Sequence, residues 1–217
     1  MNTLLNPFFV VYAGLFPIVN PVGSAPIFLA LTSEADRRAR PGLAASVAFN
    51  SFVLLLGSLF VGSHVLSFFG ITLPVLRVGG GLAVASVGWQ MLRDGAAPAA
   101  QGAPVEQPKS IDSFYPLTMP LTVGPGSISV AIALGAQWPR EPTGLATAVL
   151  LGGAAVLGLA AIALTVFLCY RFADRMTAML GASGINVLVR LSAFILLCIG
   201  IQILWGGLSV LLGLPRA

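Results

Sequence analysis

Charge is what this sequence has least of. Only 8% of its 217 residues are Asp, Glu, Lys or Arg, and 57% are hydrophobic. A soluble domain carries roughly 25% charged residues, and a chain this poor in charge could not cover a water-facing surface. The mean hydropathy of +0.97 agrees, so the composition excludes an ordinary soluble domain and indicates one integral membrane domain over residues 1–217. Acids are missing from the middle of the apolar runs: Glu34, Asp36, Asp94, Asp112 and Asp174 all fall at their ends. Histidine is nearly absent, with His64 alone near the end of a run. There is no HExxH, no intramembrane aspartate pair and no Ser–His dyad, so an enzyme is not expected, nor a metal or other cofactor. The two cysteines, Cys169 and Cys198, lie in separate apolar runs and read as buried free thiols. The pI near 9.7 does not indicate a nucleic-acid partner, because the basic residues sit mainly in short loops rather than in a stripe with exposed aromatics.

What is present is a set of long apolar runs that do not alternate, which excludes barrel strands and predicts helices. Six candidate spans lie at about 4–31, 42–68, 73–93, 113–137, 143–169 and 185–211. The start, MNTLLNPFFVVYAGLF, lacks a basic n-region and reads as a retained span rather than a signal peptide. The stretch at about 94–112 is rich in Ala, Pro, Gly and Gln and reads as a linker between halves of about 1–93 and 113–217. With six spans, Arg37, Arg38, Arg40, Arg93, Lys109, Arg171 and Arg175 share one side, against Arg140 and Arg216 on the other. That excess places the linker in the cytoplasm and both termini outside.

The halves echo each other. FPIVNPVGSAP (16–26) aligns without a gap on YPLTMPLTVGP (115–125), matching Pro17, Pro21 and Pro26 to Pro116, Pro120 and Pro125. GWQML (88–92) resembles GIQIL (200–204), and Arg77 and Arg190 fall near the starts of the same spans. The expected fold is therefore all-α, with six transmembrane helices in two three-helix repeats. Three is odd, so the second repeat is inverted. The first and fourth helices are broken at Pro and Gly.

A proline has no N–H and clashes with the carbonyl four residues back. The clusters should free the carbonyls of Ala13, Pro17 and Val22 in one half and of Asp112, Pro116 and Leu121 in the other. Asn20-Pro21 and Gly124-Pro125 both look like a cap followed by a helix start, aiming the N–H groups of Gly23, Ser24, Gly126 and Ser127 at a cavity. Opposed breaks at mid-depth would hold a small zwitterion on peptide dipoles alone, with Asn20, Thr118, Thr122, Ser127 and Ser129 adding hydroxyl or amide contacts. A dicationic substrate would call for a buried carboxylate, which is absent. Arg77 and Arg190 either snorkel to headgroups or hydrogen-bond the loose carbonyls, with their repeat-related positions favouring the second. Gln90 and Gln202 are expected to satisfy neighbouring helices. The small-residue stretches VGGGLAVASVG and LLGGAAVLGLAAIAL read as packing faces.

At NPVGSAPIFLALT (20–32), FGITLPVLRVGGGL (69–82) and YPLTMPLTVGPGSIS (115–129) the chain resembles the MarC family of six-span membrane proteins, also called the small neutral amino acid transporter family. The resemblance implies a bacterial or archaeal inner-membrane protein and, for some members, transport of glycine, alanine or similar solutes. Ser24 stands where the family commonly has asparagine.

The expected function is thus secondary transport of a small neutral amino acid by alternating access, with solute between Asn20–Ser24 and Thr122–Ser127. A channel or exporter for another small solute, or a non-transporting assembly protein, are the other readings. The expected partners are the solute, the lipid bilayer and, compatibly, further copies of the chain. Sodium at freed carbonyls, or a proton at His64 or a terminal carboxylate, are the two coupling ions left open.

Overall fold

The computed structural model of the chain describes residues 2–33, 36–94, 112–137 and 145–214, and these are helical apart from short connections. The expected linker, 94–112, lies almost wholly outside the described residues, as do Glu34, Lys109, Arg140 and Arg216. The first expected span is two helices, α1 (Asn2–Val19) and α2 (Pro21–Leu31), bent by 42°. α3 (Arg40–Phe68) and α4 (Leu73–Asp94) follow, each with a proline in its first turn, where the missing N–H costs nothing.

α3 stops because Gly70 takes φ 68°. Ile71 N–H then reaches the Leu66 carbonyl at 2.9 Å and Gly70 N–H that of Ser67 at 3.2 Å, a Schellman ending that fills two orphan acceptors. The last helix ends identically at Gly213, with Leu214 N–H on the Ser209 carbonyl at 2.9 Å.

The second half opens differently from the first. A π-helical segment, Leu117–Thr122, precedes α5 (Pro125–Gly135). Then come α6 (Leu145–Arg171) and α7 (Ala173–Leu211). α7 begins twelve residues before the expected sixth span, because the helix formers of ADRMTAML make an added piece, with Asp174 in its first turn. Gly181, at φ 63°, kinks it away from the rest.

Four helices, α3, α4, α6 and α7, are long and apolar enough to cross a bilayer, and α1 with α2 makes a fifth. The expected fourth span, 113–137, is not such a helix. The 11 residues of α5 reach about 16 Å, roughly half the hydrocarbon thickness.

α1 lies alongside α6 in the same direction: Tyr12 bonds Thr165 at 3.2 Å, and Gly158 sits beside Phe8 and Val11. α4 and α7 run antiparallel in the closest seam of the molecule. A Cβ on Gly207 would lie 2.6 Å from the Pro74 carbonyl, one on Gly200 2.7 Å from Ala85 Cα, and one on Gly88 2.6 Å from Leu197 N. In lipid, where helices gain little from burying apolar area, such backbone proximity is what holds them together. One buried cluster joins α1, α2, α3, α5, α6 and the π segment, and a smaller one centres on α4 and α7.

Candidate functional site

The first break is made by one proline of three. Pro17 and Pro26 sit inside α1 and α2. Pro21 bars Asn20 from the right-handed helical region, and Asn20 answers with φ 48°, ψ 53°, a left-handed conformation that asparagine tolerates better than most residues. Its carbonyl accepts from Ser24 N–H at 3.0 Å, and its Oδ1 accepts from Gly23 N–H at 3.2 Å. A Cβ on Gly23 would come within 2.7 Å of Oδ1, so glycine is needed there for the cap to close. The expectation that Gly23 and Ser24 present free N–H groups is corrected: Asn20 consumes both. Its own Nδ2 is buried with no partner among the described residues, in a side chain only 9% exposed.

The second break is longer. The peptide bonds Tyr115–Pro116 and Met119–Pro120 are cis, and Met119 has the non-helical pair φ −116°, ψ 124°. Val123 and Gly124 are extended before Pro125 starts α5. The second interruption thus runs from Met119, before the second proline of its cluster, to Gly124, before the third, whereas the first is confined to Asn20, before the second. One carbonyl expected to be free, that of Pro116, is taken, and two threonine hydroxyls close others beside it. Leu121 N–H reaches Pro116 O at 3.3 Å, and the hydroxyls of Thr118 and Thr122 each donate five residues back, to Ser113 O and Leu117 O, at 2.7 Å. The two threonines mend the wide π turn that the prolines open.

The remaining polar residues of this half serve locally. Ser127 Oγ donates to Gly124 O at 3.0 Å and Ser129 Oγ to Pro125 O at 2.8 Å, both stabilising the start of α5. Gly126 lies against α4, where a Cβ would meet Val84 and come 3.5 Å from Gly80 O, so it is a packing residue rather than a donor aimed at solute. Asn50 on α3 approaches Thr118 Oγ1 at 3.5 Å.

What joins the two breaks is a residue outside the proline motifs. Tyr170, in the last turn of α6, places its hydroxyl 2.8 Å from Thr122 Oγ1, with the Ser24 side chain close by. Its ring stacks on Phe28 of α2 with centroids 4.4 Å apart. Thr122 has committed its proton to Leu117 O, so Tyr170 donates to Thr122. Tyr170 thus ties α2, through its ring on Phe28, to the π segment. Ser24, Thr122 and Tyr170 are 5%, 2% and 2% exposed, so the junction is shut off from its surroundings.

The junction sits toward one end rather than midway. Tyr170 is followed by Arg171, and beyond it Asp174 at the start of α7 receives Arg40 Nη1 at 3.1 Å. The same guanidinium donates to Thr32 O at 3.1 Å and Ser33 O at 3.3 Å, where the C-terminal end of α2 favours a cation.

Several expected roles fail. Arg190 is exposed and Arg77 is half-buried beside Gly207; among the described residues neither hydrogen-bonds a broken helix, because both project from the α4/α7 pair. Gln90 and Gln202 are exposed rather than bonded to neighbours among the described residues, and Cys198 is exposed whereas Cys169 is half-buried.

The comparison with known proteins bears on the whole of this arrangement. The profile of the MarC family integral membrane proteins matches residues 5–212. A membrane protein of Buchnera aphidicola subsp. Schizaphis graminum, named as UPF0056, is 30% identical over 200 residues, covering 91% of this chain and 90% of its own length. The UPF0056 inner membrane protein MarC of Salmonella typhimurium is also 30% identical over 200 residues, covering 89% of this chain and 90% of its own. No solved structure shows a significant match. With the match extending from the first broken helix to the end of the last one, the chain belongs to the MarC family of integral membrane proteins.

Proposed function

We propose that the chain is a secondary transporter of small neutral, zwitterionic amino acids such as glycine or alanine, working by alternating access between two inverted repeats. The observation that carries this reading is the meeting of two interrupted segments at a buried junction, with the Nδ2 of Asn20 left unpartnered beside it. A buried amide donor without an acceptor costs about 1–3 kcal/mol, and a solute carboxylate would satisfy it. Pro21 has no N–H and those of Gly23 and Ser24 are capped, so Asn20 and the Val22 N–H are the donors that remain at this end of α2. No ionised side chain touches the junction among the described residues, which favours a solute of no net charge.

The inverted repeat is supported by the α4/α7 seam. The GWQML/GIQIL alignment pairs Gly88 with Gly200 and hence Gly81 with Ala193. Gly81 packs on Gly200, and Gly88 packs on Ala193. Residue and counterpart thus exchange places across the seam, as a two-fold axis between repeats requires. The parallel course of α1 and α6 and the antiparallel course of α4 and α7 suit six alternating crossings, with the π segment and α5 together as the fourth. Arg40, Arg171 and Arg175 then mark the cytoplasmic end, which leaves both termini outside.

The test is uptake of radiolabelled glycine and alanine into proteoliposomes with imposed proton or sodium gradients. Saturable uptake driven by one gradient is expected. Uptake no greater than in empty vesicles would overturn the reading, and unsaturable, gradient-independent flux would make the protein a channel.

A further inference from the structure

We infer that the turn between α6 and α7 is a two-layer latch that closes the junction of the broken segments from the basic face. The inner layer is Tyr170 and the outer layer is the Arg40–Asp174 pair. It rests on the proposed transport only in supposing that solute reaches this junction.

Both layers grip the same moving part. Tyr170 holds α2 by its ring on Phe28 and its hydroxyl at Ser24, and holds the π segment through Thr122. Four residues on, Asp174 holds Arg40, whose Nε and Nη2 donate to the Thr32 and Ser33 carbonyls just past the end of α2. Between them Ala173 is buried in the main cluster. The segment Tyr170–Asp174 therefore touches α2 at its middle and, through Arg40, just past its end, while also touching the second break. Release breaks one hydroxyl pair, one ring stack and one half-exposed ion pair, each individually weak, and uncovers Tyr170 and Ala173. Swinging the turn aside would uncover Ser24 and Thr122 from the side carrying Arg171 and Arg175.

Opening can be read without any solute. Val123 is fully buried next to Thr122 and takes no part in the latch bonds. A Val123→Cys reporter, in a chain with Cys169 and Cys198 replaced by serine, is exposed to a charged, membrane-impermeant methanethiosulfonate from each face of oriented vesicles. Slow labelling is expected with the latch intact. Tyr170→Phe, which keeps the ring on Phe28, and Asp174→Asn should each raise the rate about five- to tenfold from the basic face only, and Asp174→Glu should not. Equal rates in all variants, or a rise from both faces alike, would overturn the latch. Absent glycine uptake with the expected labelling would remove the transport reading and leave the latch, whereas normal uptake with unchanged labelling would do the reverse.

Discussion

Tyr170 donates its hydroxyl to Thr122 Oγ1 at 2.8 Å, across 48 residues of chain, and this bond makes the two broken segments one structure. With its own proton spent on the π turn, Thr122 is the acceptor of the pair. The pair should therefore be coupled. Tyr170→Phe and Thr122→Val are each expected to destabilise the protein by about 1 kcal/mol, and the double variant to cost less than the sum. Thr118→Val, whose Ser113 acceptor keeps the Thr118 N–H at 3.1 Å, should cost less than Thr122→Val. Thermal unfolding in detergent reads all four; additive losses would show the hydroxyls to be independent.

Asn20 has two separable jobs, a left-handed backbone and a side chain. Asn20→Gly keeps the backbone, with a loss of only a few tenths of a kcal/mol as a cap, yet removes Nδ2. It should unfold near the parent temperature while glycine uptake falls at least about tenfold, the worth of one buried hydrogen bond to a charged group. Uptake at the parent level would show that the amide does not contact solute.

Gly23→Ala should be worse than an alanine elsewhere in a helix, because its Cβ displaces the Asn20 cap. A loss of about 1 kcal/mol is expected, measured by the same unfolding. Gly79→Ala, on α4 with open space around it, is the control and should be neutral or stabilising by up to about 1 kcal/mol.

The α4/α7 seam should resist any side chain. Gly200→Leu is expected to destabilise by about 1–3 kcal/mol or more through overpacking, since even the first carbon meets Ala85 and the Gly81 carbonyl. Gly206→Leu, six residues on but facing open space, should leave the melting temperature unchanged. Equal effects at the two sites would mean that the seam is not tightly closed.

Much of this was legible in residues 16–26 and 115–125. Proline chemistry alone placed a break at Asn20 and another before Pro125, and low charge alone placed the chain in a membrane. The details went astray where one reading of proline was applied to all six. Pro17 and Pro26 are absorbed into helices, and two threonines spaced by four close the turn around Pro116 and Pro120, which no count of missing N–H groups reveals. Tyr170 was missed for a different reason. A tyrosine beside arginine at the end of an apolar run reads as an interfacial anchor, and only the packing shows its hydroxyl turned inward. Arg77 and Arg190 were singled out as costly in lipid, but cost says nothing of partners, and among the described residues neither bonds to a break.

The glycine seam has one more implication. α4 belongs to the half before the linker and α7 to the half after it, and their backbones meet at glycines. A chain severed anywhere between residues 95 and 111 would still carry both mating surfaces. Two fragments produced in the same cell should find each other in the bilayer and rebuild the whole.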